Sequence, residues 1–159
     1  MTNKLSSSAQ RVQDALQSLG FTNIVVEHQQ PTRTAREAAQ AIGCRVEQIV
    51  KSLIFRTKDS HRPILVLVSG PNRVNEILLG ELVQETVERA DPDFVDTTTS
   101  FAIGGVPPIG LRSQMVTFID EDLLPYDEIW AAAGTPNAVF KLTPAEMLSI
   151  THGQTVRIK

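Results

Sequence analysis

Ile64-Leu65-Val66-Leu67-Val68 is an unbroken aliphatic run. Such a run has no polar face, so as a strand it must be covered on both sides. Gly70-Pro71 ends it. Five residues are far too few to span a bilayer. The segment before it, 49–57, reads as its hairpin partner across the polar turn 58–62. A central strand therefore organises this chain of 159 residues, a length that fits one domain, 1–159, with a real core.

The hairpin partner contains an anomaly. In Gln48-Ile49-Val50-Lys51-Ser52-Leu53-Ile54-Phe55, Lys51 shares a face with Ile49, Leu53 and Phe55. An ammonium taken out of water loses its proton or needs a partner. Two readings stay open on spacing alone. Lys51 guards a strand edge or snorkels to solvent, or it is held there for chemistry.

The remaining elements follow from periodicity and caps. Helical faces occur at 9–19 (stopped by Gly20), at 35–42 (stopped by Gly43) and at 74–82. Thr34 is the expected N-cap of the second helix, with Glu37 completing a capping box. Asp91-Pro92 opens a short helix near Phe94, and Thr143-Pro144-Ala145-Glu146 opens one that ends near Ile150. Further strands are expected at 22–28, 115–119, 128–133, 138–142 and 155–158, with a short extended piece at Val87. The fold class is α/β (α+β): a mixed, mostly antiparallel sheet with packed helices. Strands and long helices do not alternate regularly, which argues against a doubly wound fold.

Charge is unevenly spread. Between Arg33 and Arg73 eight basic residues face three acids, a local net of +5, whereas residues 76–128 carry −10. The whole chain is at −3, which argues against gripping nucleic acid with its entire surface. Lys51 lies in the basic third, where a local anionic ligand or a solvated face fits equally. The one cysteine, Cys44, excludes an intrachain disulfide and suits a reducing cytoplasm. The polar, Ser-rich residues 1–10 read as neither secretory signal nor membrane anchor. His28, His61 and His152 are scattered, and no HExxH, CxxC or GxSxG spacing exists, so no metal or cofactor is expected.

Gly104-Gly105-Val106-Pro107-Pro108-Ile109-Gly110 is the second unusual element. Its glycines let a ligand approach the main chain, and its prolines stiffen the loop. Such a loop suits an anion or a developing oxyanion, or simply connects sheet elements. Gly134-Thr135-Pro136-Asn137 is similar, though a hairpin turn also explains it.

With the Lys51 strand and Ile129-Trp130-Ala131-Ala132-Ala133-Gly134-Thr135-Pro136, this loop carries a family likeness. From about His28 onward the chain resembles the YbaK/EbsC family, free-standing relatives of the editing insertion domain of prolyl-tRNA synthetase. Its hallmarks are a strand lysine, matched by Lys51, and a GxxxP loop, matched by Gly104–Pro108. The resemblance implies trans-editing, the hydrolysis of the ester joining a wrong amino acid to tRNA, with no cofactor. The likeness is greatest to the ProXp-x type, associated with 2-aminobutyrate and alanine on tRNA for proline. Cysteine-directed members typically carry serine and glycine at the positions of Ala132 and Ala133 and an acid near Val139. The resemblance makes Lys51, Gly104 and Gly105 the expected catalytic groups, and Thr34, Val106, Pro108, Gly134 and Thr135 the expected substrate contacts. Lys51 would bind the terminal nucleotide's phosphate or polarise the carbonyl, and a ribose hydroxyl would assist the water. The implied partners are the acceptor end of an aminoacyl-tRNA and, as a delivery partner, prolyl-tRNA synthetase, with no membrane. A non-catalytic tRNA- or synthetase-binding module of the same fold is the alternative.

Overall fold

The computed structural model describes residues 4–159; Met1–Asn3, the start of the polar N-terminal stretch, lie outside it. The elements are α1 (Ser7–Ser18), β1 (Val25–Glu27), α2 (Ala35–Ile42), β2 (Ile49–Thr57), β3 (Pro63–Ser69), α3 (Glu76–Val83), β4 (Val87–Arg89), α4 (Pro92–Thr99), β5 (Val116–Asp120), β6 (Ile129–Ala132), β7 (Ala138–Leu142), α5 (Pro144–Thr151) and β8 (Gln154–Val156). Short 3-10 turns precede β2 and follow β5.

The strands form one mixed sheet in the order β1-β7-β6-β2-β3-β5-β8, with β4 also on β2. Four pairings are antiparallel and three parallel. β3 is central, as its composition requires. Leu65 and Leu67 enter the larger core with α1, α4 and α5, while Ile64, Val66 and Val68 enter a second core with Phe55 and Leu79 on the opposite face. All five are at most 1% exposed, and each contributes about 1.5–3 kcal/mol by burial. No helix among the described residues is long and apolar enough to cross a membrane.

The caps agree with the sequence, with one difference. Thr143 and Glu146 close a reciprocal box, and Asp91 caps α4. Thr34 accepts from the Glu37 N–H at 3.1 Å, but Glu37 reaches back to the N–H of Arg33, one residue early, at 2.8 Å. The long glutamate stem spans the extra residue while still capping an orphan donor at the helix entrance.

The two edges of β2 differ. Toward β3 it pairs without a break from Val50↔Ser69 to Arg56↔Pro63. The opposite edge is shared: β6 pairs with Ile49 and Val50, and β4 pairs with Phe55 to Thr57. Ala90 N–H closes on the Ile54 carbonyl at 3.1 Å. Between these partners lies a notch at residues 51–53. Main-chain groups alternate sides along a strand, so those of Ser52 point the same way as the Ile54 carbonyl, into the notch.

Candidate active site

A cavity of about 610 Å³ occupies the notch. On one sheet face its wall is Ile49, Lys51 and Trp130 with Ala35 and Ala38 of α2; on the other it is Val50, Ser52, Ile54, Val95 and Val106. The wall is mostly apolar with few polar groups, the usual make-up of a small-ligand site.

Lys51 is half-buried, and its Nζ donates to the Asn72 carbonyl at 2.6 Å. Burial lowers its pKa from the ordinary lysine value; nearby Arg73 and Arg89 lower it further, and Asp120 partly opposes them. An ammonium has three donors, so two remain for a ligand.

Gly104 is exposed, with φ +89, and Gly105 is buried behind it. The Gly105 N–H already donates to Ala102 O at 3.0 Å, and its carbonyl accepts from Gly134 N–H at 2.9 Å. Among the described residues, the amides of Gly104 and Val106 have no protein acceptor. They are therefore free donors on the residues of this loop that line the cavity. Gly105 must lack a side chain because a Cβ would lie 2.9 Å from the Gly134 and Thr135 backbone. Gly134 in turn rests against α1: with φ +101, its Cβ would lie 2.6 Å from the Ser8 carbonyl.

Thr135 donates to Glu27 Oε2 at 3.2 Å, and Ser6 donates to the same carboxylate through its N–H and its hydroxyl. Burial pushes the Glu27 pKa up, but the bonds from Ser6 and Thr135 outweigh it, and the net shift is downward. The α1 cap, β1 and the 134–137 turn are thereby tied together.

The expected site residues divide into two groups. Lys51, Gly104, Val106, Thr34 and Thr135 line the cavity. Gly105 and Gly134 form the layer behind it, and Pro108 is buried along a separate groove with Leu65 and Ile109. Ala132 and Val139 pair across β6 and β7 and both line the cavity, whereas Ala133 is in the core.

Sequence reasoning missed Ser52, Trp130, Arg33, Arg36 and Arg89, all cavity-lining. The buried Ser52 Oγ has no hydrogen-bond partner among the described residues. Arg33, Arg36, Arg73 and Arg89 are exposed and make no ion pair among the described residues, although Arg89 stacks over Phe55. For Arg33, Arg36 and Arg73 the one available signal was the charge excess between 33 and 73; Arg89 lies in the acidic stretch and had none. No group of histidine, cysteine and carboxylate side chains suited to a metal occurs among the described residues.

The aminoacyl-tRNA editing domain pattern matches residues 29–150, and the chain belongs to that family. Editing domains are deacylases. A crystal structure described as a candidate trans-editing enzyme for prolyl-tRNA synthetase superposes with a TM-score of 0.93 at 48% identity, covering 98% of this chain and 99% of that one. EbsC of Enterococcus faecalis, described as a candidate Cys-tRNA(Pro)/Cys-tRNA(Cys) deacylase, is 26% identical over 79% of this chain and 76% of its own. The proline–tRNA ligase of Thermoanaerobacter sp. is 30% identical over 57% of this chain, which is only 16% of the ligase.

Proposed function

We propose that the chain is a free-standing trans-editing enzyme, acting in the cytoplasm as one domain spanning 1–159. Its substrate is tRNA for proline esterified to a wrong small amino acid, 2-aminobutyrate or alanine. The observation that carries the reading is the Lys51 ammonium in a notched-sheet cavity that is also lined by Gly104 and Val106, whose amides have no acceptor among the described residues.

An aminoacyl ester is already activated, so positioning and modest oxyanion stabilisation suffice. Water adds to the ester carbonyl, with a hydroxyl of the terminal ribose assisting. The tetrahedral oxyanion is held by the Gly104 and Val106 amides. The ester C–O bond then breaks, releasing free amino acid and tRNA. Lys51 binds the terminal phosphate or polarises the carbonyl. Arg33, Arg36, Arg73 and Arg89 receive the acceptor-end backbone, and Thr34 and Thr135 line the entrance. With a net charge of −3, tRNA affinity is weak, which favours delivery by prolyl-tRNA synthetase.

Ala132 and Val139 set the pocket's size and offer no polar group to a thiol. Size alone discriminates by about 1–3 kcal/mol per methylene. The test is deacylation of tRNA for proline charged in turn with alanine, 2-aminobutyrate, cysteine, serine and proline. The first two should be cleared fastest and proline spared. Binding without hydrolysis of any of them would sink the reading in favour of a non-catalytic module.

A further inference from the structure

Lys51 is a four-carbon flexible stem, and its ammonium is useful only if its position is fixed. The acceptor that fixes it, the Asn72 carbonyl, sits in the turn after β3. That turn is pressed into place: a Cβ on Gly70 would lie 2.2 Å from the Val46 carbonyl. Asn72 N–H closes the turn on Ser69 O at 2.9 Å. The Asn72 side chain uses its Nδ2 twice, donating at 2.8 Å to Asp120 Oδ2 and at 2.8 Å to Asp122 Oδ2.

Asp120 is the unusual member. It is 1% exposed and in no ion pair among the described residues. Its oxygens accept from Ser69 N–H at 3.0 Å, Asn72 Nδ2 at 2.8 Å and Asp122 N–H at 2.9 Å. A neutral asparagine could keep the Asp122 bond, but its amide NH2 would then face the Ser69 and Asn72 donors, so a carboxylate is buried there at a desolvation cost. The carboxylate also brings its field, which favours the protonated form of Lys51 against burial, Arg73 and Arg89. Lys159, a further cation within the Asp120 field, pairs directly with Asp122 at 2.8 Å.

We propose that Asn72 and Asp120 are positioning residues for Lys51: Asp120 anchors the Asn72 side chain, and Asn72 presents the carbonyl that holds the ammonium at the cavity wall. The proposal rests on the deacylase reading for its kinetic consequence but not for its structural one, and the two are measured separately. The first measurement is the Lys51 pKa by NMR titration of the lysine side chains, assigned by its loss in Lys51→Ala. Asp120→Asn and Asn72→Ala should each lower it. Asn72→Ala keeps the main-chain carbonyl but frees the turn, and decides the matter if Asp120→Asn does not fold. A Lys51 pKa unchanged in folded Asn72→Ala overturns the proposal whatever the enzyme's substrate.

The second measurement is steady-state deacylation. Asn72→Ala should lose about tenfold in kcat/KM, through kcat if Lys51 polarises the carbonyl and through KM if it holds the phosphate, and its alkaline limb should move to lower pH. Asp120→Glu should restore part of what Asp120→Asn loses. A loss of activity that follows only the unfolded fraction, with the pH limb unmoved, also overturns the proposal. An active Lys51→Ala enzyme would instead reject the role assigned to Lys51, leaving the hydrogen-bond chain to the NMR result.

Discussion

The two edges of β2 divide the molecule's work. On the β3 side, seven consecutive pairs and five buried aliphatic side chains leave nothing open. On the other side, two pairs with β6 and three with β4 leave a notch between them, and every cavity-facing group of interest gathers there. Stability is concentrated along one edge of a strand and chemistry along the other. A substitution should therefore harm one with little effect on the other.

The largest expected effects come as a pair. Leu67→Ala, on β3, should cost about 2–5 kcal/mol in denaturant unfolding while leaving deacylation per folded molecule unchanged. Lys51→Ala should do the reverse: a loss of about 10²–10³-fold in kcat/KM with an unfolding midpoint close to wild type. A Lys51→Ala protein that is folded and fully active would break the contrast.

A smaller effect sharpens it at the layer between the two edges. Gly134→Ala should cost about 1–3 kcal/mol from its positive φ and the clash with Ser8. It should also slow deacylation, because the Gly105–Gly134 bond braces the amide-bearing loop. Thermal unfolding and kcat, read together, check both halves.

The smallest effect is one of pH. A depressed Lys51 pKa means the ammonium is fully present below that folded value and is lost as pH rises through it, earlier than for a free lysine. After subtraction of spontaneous ester hydrolysis, the alkaline limb of kcat/KM should lie below the ordinary lysine range. In Lys51→Arg, which does not titrate there, any remaining activity should lack that limb.

Much of this was legible in the chain. The run Ile64–Val68 required a strand buried on both faces. Lys51 and the Gly104–Pro108 loop stood out because each breaks a local rule. What could not be read is the notch, since it is defined by what fails to pair. β4 and β6 reach β2 from roughly 35 and 80 residues downstream along the chain, and no periodicity within β2 encodes where one partner stops and the other begins. Asp120 was hidden for a related reason: it directly follows the expected strand 115–119, and only the fold brings Ser69 and Asn72 to it. The division of labour between Gly104 and Gly105 was likewise invisible, because it depends on Ala102 and Gly134 claiming the Gly105 main chain.

The notch carries a further consequence, for aggregation. An unpaired stretch inside a sheet is a template for a foreign strand, with the Ser52 N–H and carbonyl ready to extend it. Its shortness offers too few bonds to capture a strand, and a charge at the opening discourages any apolar segment from trying. The two readings of Lys51 that its sequence left open, edge guard and functional cation, are therefore compatible. The side chain that repels a neighbouring strand is the one proposed to admit a single aminoacyl group in its place.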